Sequence, residues 1–171
     1  MIRFAVFLCL ALVLAGCAAP EGPANRLEKA NVLPLALDSD YQFRKILQST
    51  TESFNPNAKL ESQAGAFERA RLTWGTVESW EAERLRGDYF KFFWRTSRQS
   101  DVTVRFEFRQ AGHANYVMAM ERFYPQAKGS YRSTFEVIGN DFFEFGRVTA
   151  WRCLLIVDNK IVAFRQSFMW R

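Results

Sequence analysis

The sequence predicts a mainly-β protein: an antiparallel β-sandwich of about seven strands over residues 72–171, preceded by a tether and a short helix. Three observations predict it. Val102, Val104, Phe106 and Phe108 alternate with Thr103, Arg105, Glu107 and Arg109, the period of a half-buried antiparallel strand. Turn signals punctuate the chain at Gly112, Gly129, Gly139 and Asp158-Asn159. No helical period follows residue 88.

The chain opens differently. Arg3 is followed by an apolar run over residues 4–13, then by the small residues Ala15 and Gly16. That is the layout of a secretory signal over residues 1–16. The run falls short of the roughly 20 residues needed to span a bilayer. It ends in Leu14-Ala15-Gly16-Cys17, which resembles the lipobox of bacterial lipoprotein precursors. The resemblance implies cleavage before Cys17 and lipidation of its sulfur, hence a membrane-anchored cell-envelope lipoprotein. Residue 18 is Ala rather than Asp. By the sorting rule of that class, this implies the outer membrane of a Gram-negative cell, facing the periplasm.

Residues 17–34 then read as a lipidated tether, punctuated by Pro20, Gly22, Pro23 and Pro34. Residues 35–71 read as an irregular or short-helical lead-in. Ser39 or Asp40 caps a short helix carrying Tyr41, Phe43, Ile46 and Leu47, and Asn55-Pro56-Asn57 turns the chain. Leu60 to Arg71 is a second short helix or an irregular stretch.

The strands follow. Leu72 and Trp74 lie in the first. Phe90, Phe92 and Trp94 share one face of the next, and residues 102–109 form another. Residues 116–124 make a strand ended by Pro125, with a turn at Lys128-Gly129, and residues 131–138 make one more. Phe142, Phe143 and Phe145 plug one end of the core. Residues 148–157 and 160–170 form a hairpin about Asp158-Asn159, in which Leu155 opposes Val162, Cys153 opposes Phe164 and Arg152 opposes Arg165.

The segment Phe145-Gly146-Arg147-Val148-Thr149-Ala150-Trp151 and the hairpin after it are similar to the last strands of immunoglobulin-like or fibronectin-like sandwiches. The resemblance implies an immunoglobulin-like architecture. Cys153 has no second cysteine to pair with, and Trp151 stands where an antibody domain carries its corner tyrosine. The alternative is an α+β fold with helices from residues 39–71 on one antiparallel sheet.

Composition narrows the function. Cys9 leaves with the signal and Cys17 takes lipid, so Cys153 remains as a small buried hydrophobe without a disulfide. With His113 as the single histidine, a His/Cys metal site is not expected, no G-x-G-x-x-G or Walker loop points to a cofactor, and no nucleophile motif accompanies His113. Glu78, Glu81 and Glu83 read as a solvated connection beside Arg84 and Arg86 rather than catalytic carboxylates. An enzyme is therefore not expected.

Residues 17–87 carry nine bases and ten acids, and residues 88–171 thirteen bases and eight acids. The basic half suits an acidic envelope protein or a lipid headgroup, and in the periplasm nucleic acid is not the expected partner. Lys91, Arg95, Arg105, Arg109, Arg132, Arg152 and Arg165 all fall on the outward side of their strands. Of these, Arg105, Arg109, Arg132, Arg152 and Arg165 form the candidate binding face, or else a solvated ladder. Trp74, Trp80, Trp94, Trp151 and Trp170 read as core or as a pocket lining. Two functions follow: a non-catalytic sandwich for protein binding or scaffolding, or a carrier holding a lipid, glycan or other apolar ligand between its sheets.

Overall fold

The structure is a computed structural model that describes residues 21–51 and 83–170. It is mainly β, and its strands form one antiparallel sheet. In chain order they are β1 (Asn25–Leu27), β2 (Tyr41–Thr51), β3 (Gly87–Gln110), β4 (Met118–Ile138), β5 (Val148–Val157) and β6 (Lys160–Gln166). A short helix, α1 (Asn140–Phe145), joins β4 to β5.

The sheet is organised by β3 and β4. They pair along nearly their whole length as one long ribbon, from Gly87↔Ile138 to Phe108↔Met118. The ribbon is folded over on itself. Phe92 and Phe106 lie fourteen residues apart, which would separate them by about 46 Å on a straight strand. Their ring centroids are 5.5 Å apart, and those of Phe90 and Phe106 are 4.7 Å apart. The bend falls at the register shifts between Thr96 and Val102. Across it, Gln126 and Gly129 take positive φ angles of 47° and 95°. Two layers result. In the first, β2, residues 87–96 of β3 and residues 129–138 of β4 lie side by side. In the second, the order is β1, β4, β3, β5, β6. Strands that cross between layers through bulges build a sandwich without separate sheets.

Aromatic side chains fill the space between the layers. Phe90, Phe92, Trp94, Phe106, Phe108, Phe135 and Leu155 are all at most 1% exposed. Ser133, fully buried among these rings, is satisfied: its Oγ meets Trp94 Nε1 at 2.9 Å and the Tyr124 hydroxyl at 2.7 Å. Phe142 from α1 closes one end, while Phe143 faces solvent.

Several expectations need correction. Residues 90–95 and 102–109 are halves of one strand, and Pro125 does not end β4 but sits at its bend. Residues 41–51 are a strand, not a helix. A bulge between Phe43 and Lys45 slips the alternation by one residue, so the inward spacing Tyr41, Phe43, Ile46 imitates a helical stripe. The tether is docked from residue 21 onward: Glu21 pairs with Arg122, β1 pairs with β4, and residues 34–38 bond to β6. The hairpin at Asp158-Asn159 is present, with φ of 49° and 57°. Its register is shifted by a bulge, so Leu155 meets Ala163, Cys153 meets Arg165 and Arg152 meets Gln166. β6 stops at Gln166 rather than reaching Trp170. The expected strand at Leu72 and Trp74, the helix at residues 60–71, Trp80, and the signal with Cys17 lie outside the described residues.

Candidate functional site

The fold divides the outward basic residues between two surfaces. Arg105, Arg109 and Arg152 stand together on the outer face of the second layer, where Arg105 and Arg152 are paired with carboxylates. Glu107 and Arg152 are direct cross-strand partners, as are Arg105 and Glu121. Arg152 Nε lies 2.5 Å from Glu107 Oε2, and Arg105 Nε lies 2.5 Å from Glu121 Oε1. Arg105 Nη1 also donates to the carbonyl of Asn31 at 2.8 Å. Residues 167–170 fold over this face and place the Trp170 ring 4.9 Å from the Arg109 guanidinium and 5.0 Å from that of Arg152. Glu107 is 2% exposed and Arg105 7%. Opposite charges placed directly across from one another, under a roof, stabilise the sheet and leave little free charge for a partner.

Arg132 and Arg165 are elsewhere. Arg132 is exposed on the first layer, opposite Phe93. Arg165 is exposed on β6, where it lines a groove with Asp38, Gln42 and Gln166. The expected Arg152–Arg165 pair does not form, because the bulge moves Arg165 opposite Cys153.

That groove lies between β2 and β6 and encloses about 630 Å³. Both strands are sheet edges. Among the described residues β2 pairs only with β3, and beyond its bonds to residues 34–38, β6 pairs only with β5. Tyr41 and Phe43 from β2 face Val162 and Phe164 from β6 across it. A smaller cleft of about 560 Å³ sits beside β1, lined by Leu27, Met118, Phe145, Tyr116 and His113. His113 stands edge-on to Phe145 at 4.7 Å. Arg26 reaches the same cleft, held by Asp141 at 2.7 Å with its other terminal nitrogen on the Met118 sulfur.

Cys153 is buried and free, and burial pushes its thiol well above the ordinary range. Among the described residues no three His, Cys, Asp or Glu side chains converge as metal ligands. Of the acidic cluster, Glu83 is exposed, and Glu78 and Glu81 lie outside the described residues.

The first layer carries what the sequence reading missed. Lys45 joins Lys91, Arg95 and Arg132 on its outer face, and it was hidden because its strand imitates a helix. The groove was invisible because β2 and β6 are far apart in sequence. By class the fold is a mainly-β antiparallel sandwich built on a bent ribbon. No family model matches the chain, nor does any curated protein or solved structure.

Proposed function

We propose that the chain is a membrane-anchored cell-envelope lipoprotein that presents a non-catalytic β-sandwich to a protein partner. The lipobox-like Leu14-Ala15-Gly16-Cys17 supports anchoring, and Ala18 after it supports, for a Gram-negative cell, outer-membrane placement facing the periplasm. The observation that carries the binding role is the groove between the edges of β2 and β6, which among the described residues are unpaired apart from the bonds of residues 34–38 to the start of β6. Unpaired strand edges recruit an extended segment by main-chain hydrogen bonding, with flanking side chains supplying selectivity. The mixed walls, with Tyr41 and Phe43 beside Gln42, Arg165 and Gln166, suit a peptide better than a purely apolar ligand. The filled interior favours this role over carriage between the layers.

A photo-cross-linking residue placed at Gln42 or Arg165 tests the reading in the native envelope. The expected result is one common partner from both positions and none from a control at Asn140. No cross-link at the groove, or the same products from all three positions, would overturn it.

A second reading, a carrier of a small apolar ligand, draws on the cleft at Leu27, Met118 and Phe145. Its volume is typical of small-molecule sites. Leu27→Trp should then abolish uptake of an apolar fluorescent probe while leaving groove cross-links intact.

A further inference from the structure

The outer face of the first layer is charged in a way the second layer is not. Cross-strand register arranges it in rows: Lys45, Phe93, Arg132; then Leu47, Lys91, Thr134; then Gln42, Arg95, Ser130. The neighbouring row brings the carboxylate Glu136 opposite Tyr89. The face thus holds four bases against one acid. Lys45, Arg95 and Arg132 are exposed and Lys91 is half-buried. Among the described residues none of the four forms an ion pair, and Arg95 bonds only the neutral Gln42 amide, at 2.9 Å. Leu47, 42% exposed, and Phe93 lie between the cations.

The N-terminal segment reaches the domain at the border of this same face. The Glu21 carboxylate accepts the Thr134 backbone N–H and pairs with Arg122. Thr134 is the direct partner of Lys91 and lies two residues from Arg132. Only Ala18, Ala19 and Pro20 separate Glu21 from Cys17. Four chain steps span at most about 14 Å.

We propose that this face is a docking surface for the anionic headgroups of the membrane. The proposal rests on the anchoring reading for its geometry. Lipid at Cys17, on so short a leash, holds the border of the face close to the bilayer. There its four cations fall within about a Debye length of the surface charge, where each acts most strongly. Leu47 and Phe93 can settle into the headgroup layer beside them. The domain is thereby oriented: the first layer faces the lipid, and the neutralised second layer faces away.

Co-sedimentation of the mature chain carrying Cys17→Ser, which lacks the anchor, tests the face separately from the lipid. Vesicles containing phosphatidylglycerol are compared with pure phosphatidylcholine. The expected result is binding to the anionic vesicles alone, lost at high salt. Lys91→Gln with Arg132→Gln should weaken it at least tenfold, since each base contributes roughly fivefold. Arg152→Gln, on the other layer, should leave it unchanged, and thermal melts confirm that the variants fold. Equal binding to both vesicles, none to either, or equal loss with Arg152→Gln would overturn the proposal. The mass of the wild-type chain separates the two claims. A lipid-free Cys17 with anionic binding intact removes the anchor but keeps the face, whereas a lipidated Cys17 without anionic binding removes the face.

Discussion

Glu107 shows how a residue's meaning changes between sequence and fold. In the sequence it is one acid in a row of bases. In the structure it is 2% exposed and sits between Arg105 and Arg152. Removing it takes the carboxylate from Arg152 and leaves Arg105 with Glu121 alone, so Glu107→Ala should cost about 2 kcal/mol in denaturant unfolding. Removing the exposed Arg98–Asp38 pair should cost under about 1 kcal/mol. Gly87 is constrained as firmly. A Cβ there would meet the Val137 carbonyl oxygen at 2.1 Å, at a φ of +152°. Gly87→Ala should therefore lower stability by at least ~2 kcal/mol, read as a fall in melting temperature. Burial also sets the response to alkali. It raises Tyr89 and Tyr124 from 10.0 to about 12, and raises Cys153 above its ordinary 9.0. In each case the fold retains a proton that the unfolded chain releases. Stability should hold up to about pH 9 and fall above it, with roughly 1 kcal/mol lost to each tyrosine by about pH 11. A melting temperature that stays flat from pH 9 to 11 would contradict this. The burial of Cys153 was legible in the apolar run it shares with Leu154, Leu155 and Ile156; the pairing of Glu107 was not, because it depends on register.

At the scale of elements, alternation located the strands well and bends located them poorly. Residues 102–109 and 131–138 lie in strands as their period indicates, and Asp158-Asn159 forms its hairpin turn. What alternation cannot reveal is whether Pro125 and Gly129 end a strand or bend it, since both need the same residues. Bulges at Arg44 and Val162 misled the reading of β2 and of the hairpin register, because one extra residue transfers every later side chain to the other face. The ribbon bend can be probed at Gly129, whose φ of 95° has open space around it. Gly129→Val should cost roughly 1–2 kcal/mol through backbone strain alone, without disturbing the core. An unchanged unfolding midpoint would mean that the bend relaxes.

For the whole molecule, the distribution of charge separates two surfaces that the sequence merged. The second layer pairs Arg105 with Glu121 and Arg152 with Glu107, and covers Arg109 and Arg152 with Trp170. Among the described residues the first layer leaves Lys45, Lys91, Arg95 and Arg132 without an ion pair, beside the point where Glu21 meets Thr134. The β2–β6 groove is the site the proposed partner would occupy. The mainly-β class was legible from residues 88–171 alone. The split between layers was not, because it requires knowing that β3 folds back on itself. In the proposed reading, both surfaces take their biological meaning from anchoring at Cys17. The most direct measurement is the intact mass of the protein extracted from membranes, compared with Cys17→Ser. Anchoring predicts a chain that begins at Cys17 and carries a diacylglyceryl group with a further N-acyl chain, and a Cys17→Ser form without lipid. A wild-type chain that begins at any other residue, or carries no lipid mass on Cys17, would contradict it.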